Sequence, residues 1–167
     1  MIMNEKDKRP YRKGVGVVLF NADGLVFAAR RLNTAEKAWQ LPQGGIDADE
    51  DPKEAVFREL EEEIGTAKAE IIAEIPDLLS YDLPTGLSAK VWKGRFRGQQ
   101  HKWYALRFLG NDEDIDIAAH GHPEFSDWKW VALKDLPDMI VSFKRPVYQA
   151  VVDAFRHLPE SLKNKNR

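Results

Sequence analysis

An α/β fold, a sheet with helices laid against it, is what this chain predicts, and three features carry the prediction. A β-branched run, a turn and a second apolar run open the chain, a strongly punctuated helix follows, and the C-terminal region has apolar residues at helical spacing. The 167 residues are enough for one domain with a substantial core, and no linker, repeat or low-complexity tract interrupts them. A single domain over residues 1–167 is therefore expected, with flexible ends of about ten residues at the start and about seven, including the polar "KNKNR", at the close.

The elements follow in order. "GVGVVLFNADGLVFAARRL" predicts a hairpin, with one strand from Val15 to Phe20, a turn at Asn21-Ala22-Asp23-Gly24 and a second strand from Leu25 to Ala29. "NTAEKAWQLPQGG" is expected to be irregular because Pro42 and the Gly44-Gly45 pair oppose regular structure. A helix from Pro52 to Ile64 comes next. Asp51 can cap it, Pro52 suits its first position, Glu54 stands where a capping box needs an acid, and Gly65 fits the stop. Val56, Leu60 and Ile64 recur every fourth residue as its buried stripe. "AEIIAEIPDLLSYDLP" and "HKWYALRFLG" suggest strands separated by a basic loop, "DWKWVALKDLP" a strand entering a turn, and Val147, Val151, Ala154, Phe155 and Leu158 a helix packed back on the sheet.

Composition excludes several classes. Hydrophobic residues are 43% and charged residues 31% of the chain, ordinary for a globular protein. The run "GVGVVLF" is far short of the roughly 20 residues of a membrane-spanning helix, and "MIMNEKDKRPYRKG" lacks a secretory apolar core, so a cytoplasmic location without membrane contact is expected. With no cysteine and four scattered histidines, a metal would have to be held mainly by oxygen. The net charge of −2 hides a segment from Ala89 to Phe108 that contains Lys90, Lys93, Arg95, Arg97, Lys102 and Arg107 and no acid. Interleaved with Trp92, Phe96, Trp103 and Tyr104, these cations read as a phosphate-neutralising, base-stacking loop. Alternatively, Trp103, Tyr104 and Phe108 are strand core.

The helix poses the sharper question. Glu59, Glu61, Glu62 and Glu63 crowd its last two turns, where the negative end of the backbone dipole disfavours carboxylates. At about 100° per residue, Glu59, Glu62 and Glu63 share an arc of roughly 100°, and each like-charge pair costs about 0.2 to 0.5 kcal/mol. A solvated acidic face is the plain alternative. A divalent cation would convert the repulsion into coordination, because hard cations take clustered oxygen ligands. Glu61 falls off that arc and is expected to be solvated. Arg58 is either a surface ion-pair partner of Glu59 or an orienting group behind a ligand carboxylate. Gly44 and Gly45 form either a simple turn or a place where a phosphate chain approaches the backbone closely.

Gly44, Glu50, Arg58-Glu59-Leu60, Glu62-Glu63 and Gly65, at their spacing, match the Nudix box, and the chain resembles the Nudix hydrolases. Thr66 departs from the pattern, where an aliphatic residue is usual. "WQLPQGG", "GQQHKWYALRF", "PEF" with "DWKWV", and "VSFKRPVY" are similar to the bacterial RNA pyrophosphohydrolase and dinucleoside polyphosphate hydrolase branch. The resemblance implies a mixed sheet sandwiched between α-helices and Mg²⁺ or Mn²⁺ held by Glu59, Glu62 and Glu63, with Glu124 reaching the metal from a loop. It implies Arg31 and Lys144 at the 5′ phosphates, Phe143 stacked on a base, Tyr81 against a nucleotide, and catalytic roles for Arg58, Glu62 and Glu63. Glu124 is otherwise a surface acid, and Phe143 otherwise a core residue. The proton acceptor is Glu62 or Glu63, with Glu124 as the alternative. The implied activity is removal of pyrophosphate from the 5′-triphosphate or diphosphate end of RNA, which initiates mRNA decay, with no DNA substrate expected. The alternatives are asymmetric hydrolysis of diadenosine tetraphosphate (Ap4A) to ATP and AMP and, more remotely, a non-catalytic nucleotide- or RNA-binding module.

Overall fold

The computed structural model describes residues 7–32 and 38–165. Expectations for the first six residues, for 33–37 of the loop after the hairpin, and for the last two residues fall outside that range.

Strand β1 (Tyr11–Phe20) is the centre of the fold. It pairs in parallel with β7 (Gly98–Phe108) along its whole length, and antiparallel with β2 (Val26–Arg31) at one end and β4 (Gln43–Gly45) at the other. β3 (Trp39–Gln40) and β8 (Phe125–Val131) pair with β2, while β5 (Ala69–Glu74) and β6 (Leu79–Asp82) pair with β7. The result is a mixed sheet in the order β3-β2-β1-β7-β5, with β4, β6 and β8 attached off that path.

Because side chains alternate along a strand, β1 serves two cores. Val15, Val17 and Leu19 pack with Ala55, Val56, Leu60 and Ile64 of helix α1 (Pro52–Ile64). Val18 and Phe20 meet Val147, Tyr148, Val151 and Phe155 of helix α3 (Arg145–Phe155) on the other face, with Trp103 and Ala105 from β7. A short helix α2 (Thr85–Ser88) lies in the connection from β6 to β7, and α4 (Leu158–Lys165) ends the described chain. Among the described residues no helix is long and apolar enough to cross a membrane.

Helix α1 has the cap, first residue and stop expected of it, but among the described residues Glu54 closes no capping box. Asp51 accepts the Lys53 N–H, Pro52 opens the first turn, and Gly65 adopts a left-handed φ of 80° while donating to Glu61 O at 3.0 Å. Glu54 is exposed in the first turn, where the dipole favours an acid.

Two expectations need correction. The stretch around Pro42 is not irregular: Trp39–Gln40 and Gln43–Gly45 are short strands, the second held in the groove beside β1. The C-terminal helix breaks after Phe155, with Val152 buried where Ala154 was expected and Ala154 exposed. Beyond it, α4 continues from Leu158 to Lys165, anchored by the buried Leu158 and Leu162. At the start, Asp7 to Pro10 are bonded: Arg97 donates to Asp7 O at 3.0 Å and its backbone N–H to Pro10 O at 3.1 Å.

Candidate active site

The site is built where β4 runs beneath the last turns of α1. Three contacts join them. Arg58 Nη2 donates to Gly45 O at 2.8 Å, Gln43 N–H donates to Glu63 Oε2 at 3.3 Å, and the Glu59 carboxylate lies directly over Gly44, in space that a methyl group would occupy. Any larger residue there would displace the acid. Glu59 lies over Gly44 and the Arg12 guanidinium against Gly45, both glycines being partly exposed.

Arg58 is no simple surface partner. Its Nε and Nη2 hold both oxygens of Glu50, at 2.7 and 2.8 Å, and its Nη1 bonds Glu59 at 2.9 Å and Glu62 at 3.4 Å. This forked pairing holds the Glu50 carboxyl down at about 2. Arg58 therefore ties Glu59 and Glu62 to the Glu50 carboxylate. Glu50, absent from the expected site residues, is its anchor. It sits in the loop before α1, where helical periodicity gives no signal.

The three clustered acids are not equivalent. Glu63 is buried; burial, then the charges of Glu124 and Glu59, push its carboxyl well up, against the Gln43 N–H and Arg31. Burial also raises Glu59, whose side chain is 12% exposed, although Arg58 opposes the shift and Glu62 and Glu124 reinforce it. Glu62 is 55% exposed at the rim. Glu124 is exposed at the start of β8, and its carbonyl accepts the Leu32 N–H at 2.8 Å, so the ends of β2 and β8 set Arg31 beside it. A register shift between Arg30 and Arg31 re-aims that side chain. Glu61 is not merely solvated, for its carboxylate lies 3.3 Å from His120.

The donor set suits a hard divalent cation: carboxylate oxygens crowded so that burial and mutual repulsion disfavour their charge, with a cation behind only one side. Among the described residues no three acids or histidines already converge into a cage, so cation binding would require side-chain adjustment.

Beside the acids opens a cavity of about 580 Å³, lined by Arg31, Tyr81, Phe143 and Lys144 together with Gln99, Trp92 and several aliphatic groups. Lys144 is buried, and its Nζ lies 5.3 Å over the Tyr81 ring. Burial, helped by the Arg31 charge, lowers its ammonium to about 8. Phe143 packs on the core and lines the cavity as well, 5.7 Å from Tyr81 between ring centroids. Tyr81 is itself largely core, its hydroxyl bonded by Gln99 at 2.7 Å. Arg31 connects the two halves of the site, since its charge acts on both Glu63 and Lys144.

The basic segment divides. Lys102 and Arg107 are paired with Glu74 and Glu70 of β5, Arg97 is paired with Asp82, and Trp103, Tyr104 and Phe108 are strand core. Three of its cations are thus taken up in ion pairs at the protein surface, while Lys90, Lys93 and Arg95 are exposed on the loop before β7.

An acid-bearing helix folded over a glycine strand beside a basic, aromatic cavity is a Nudix arrangement. Residues 10–151 match the NUDIX domain, and the chain belongs to the Nudix hydrolase family. More particularly, it is 57% identical over 143 residues to an RNA pyrophosphohydrolase of Rhodospirillum rubrum, covering 86% of each chain. In fold it is similar to an E. coli dihydroneopterin triphosphate pyrophosphohydrolase, with a TM-score of 0.67 at 18% identity over 87% of this chain and 97% of that one. A C. elegans Ap4A hydrolase gives a TM-score of 0.61 at 20% identity, over 86% and 96%.

Proposed function

We propose that this chain, working in the cytoplasm as a single domain, removes pyrophosphate from the 5′-triphosphate or diphosphate end of RNA in a reaction dependent on Mg²⁺ or Mn²⁺. The observation that carries the proposal is the juxtaposition, across Arg31, of the Glu59, Glu63 and Glu124 carboxylates with a cavity that offers both a buried ammonium and aromatic rings. Its similarity to RNA pyrophosphohydrolases at high coverage supports the RNA end as substrate.

Glu59, Glu63 and Glu124 would hold the cation. When bound, such a cation neutralises phosphate charge and lowers the pKa of water. Arg58, fixed by Glu50, keeps Glu59 aimed inward. Glu62, exposed at the rim and, among the described residues, held by Arg58 alone at 3.4 Å, is the carboxylate best placed to take the proton of an attacking water. Arg31 and Lys144 would bind the phosphates, while Phe143 and an edge of Tyr81 meet the base. Asymmetric Ap4A hydrolysis is the second reading, favoured by a cavity whose features suit any nucleoside polyphosphate. A non-catalytic binding module would not need the burial of Glu59 and Glu63 side by side.

Rates on 5′-triphosphorylated RNA and on Ap4A, measured side by side with Mg²⁺, test the proposal. Faster pyrophosphate or phosphate release from RNA is expected; faster formation of ATP and AMP would make Ap4A the substrate, and no turnover on either would sink both readings.

The cavity also predicts a pH dependence. Lys144 carries its proton below about 8 and loses it above, so the positive charge available to phosphate disappears as pH rises through that value. The kcat/KM of the enzyme should fall above that pH. Lys144→Arg keeps the charge and should move the fall to higher pH; a profile identical to the wild type would show that Lys144 does not govern it.

A further inference from the structure

The connection from Leu83 to Arg97 forms a loop pinched at its neck. Leu83 N–H donates to Arg97 O at 2.9 Å, Asp82 pairs with Gly98 in the sheet, and Arg97 is bonded to the Asp82 carboxylate at 2.8 Å. Within the loop, Trp92, Lys93 and Gly94 adopt consecutive positive φ values of 50°, 59° and 72°. Non-glycine residues rarely adopt that conformation, and the surroundings must hold them in it. The turn places the Trp92 ring at the wall of the nucleotide cavity, with the Arg12 guanidinium 5.0 Å over it and Phe96 against it at 6.0 Å.

What holds the turn is outside the loop. Arg9, steadied by Asp7, donates from Nη1 to Gly94 O at 3.1 Å and Ser88 O at 3.3 Å, and from Nη2 to the Ser88 hydroxyl at 3.0 Å. Ser88 is buried, and its hydroxyl passes the bond on to Thr85 O at 3.1 Å. One guanidinium thus ties the helical arm of the loop to its strained turn. The other loop residues from Pro84 to Leu87 are mostly exposed and give the loop little core of its own.

We propose that Trp92 is a specificity-determining residue that stacks on a nucleobase of the substrate, and that Arg9 is the positioning residue that presents it. Resting on the nucleoside-polyphosphate function proposed above, the inference adds a second aromatic wall, on the loop side, to the one formed by Phe143 and Tyr81. Arg9 touches no substrate and acts through the loop alone.

Steady-state kinetics on RNA or Ap4A, whichever the wild type hydrolyses, decide it for Trp92→Ala, Arg9→Ala and the double variant. Loss of one base–aromatic stack should raise KM about tenfold in each single variant, with kcat nearly unchanged. Because Arg9 acts through Trp92, the double variant should be no worse than Trp92→Ala. Inhibition by inorganic tripolyphosphate, which has no base, should be the same in all. Trp92→Leu retains bulk without an aromatic plane and should reproduce the KM rise even where the alanine variant folds poorly. An unmoved KM, an additive double variant, or equal weakening of tripolyphosphate overturns the inference. A wild type inactive on both substrates overturns the function beneath it as well.

Discussion

Glu63→Gln is expected to reduce turnover on the order of 100-fold or more while raising the melting temperature of the metal-free protein. Groups that merely orient metal ligands typically cost 10- to 100-fold when removed, and a direct ligand should reach or exceed that range. The stability gain has a separate cause. Burial and the neighbouring Glu124 and Glu59 push the Glu63 carboxyl well above its ordinary value, so its ionisation is disfavoured in the folded state. With a raised folded pKa, its contribution is fully present below the ordinary carboxylate value and is lost as pH rises through the raised one. Above the ordinary carboxylate value the wild type therefore loses stability that the non-titrating amide keeps. Thermal melts of both proteins in chelator, from acidic to neutral pH, should diverge as pH rises, the variant being the more stable. Equal melts, or undiminished turnover, would contradict the role given to Glu63.

Gly44→Ala should lower kcat about 100-fold with little change in melting temperature, since a displacement of about 1 Å at a reacting centre can cost that much. A methyl group on Gly44 would overlap the Glu59 carboxylate. That carboxylate is the far end of a rotatable side chain, so it would swing away without disturbing the strand. In moving it would give up its 2.9 Å bond to Arg58 Nη1 and its place beside Glu63 and Glu124. Unchanged kcat would mean that the position of Glu59 over β4 is not needed for the reaction.

Much of the fold is legible in the chain because it follows from local chemistry. The caps of α1, the stripe of Val56, Leu60 and Ile64, and the hairpin at Asn21–Gly24 depend on near neighbours, and all are present. The family-defining glutamates and glycines are local in the same sense. β4 was missed because a three-residue strand has no periodicity to read and is held by its pairing to β1. Arg12 escaped, and Glu50, though part of the matched box, received no role, for a related reason: each acquires its role from a partner that folding brings to it, Gly45 and Trp92 for the first, Arg58 for the second. In the basic segment, the central place of β7, covered on both faces, decided which residues became core, and pairing with β5 took up two of its cations.

From its own residues, then, the chain determines where its helices and hairpin form and that several carboxylates share one helical face, because these depend on spacing and on residues a few positions apart. Only the tertiary structure decides that Glu63 is buried while Glu62 is open to water, that Glu59 occupies the space Gly44 leaves, and that Arg9 braces a loop carrying Trp92. Burial, charge proximity and close approach are properties of contacts between distant segments, and no local pattern contains them.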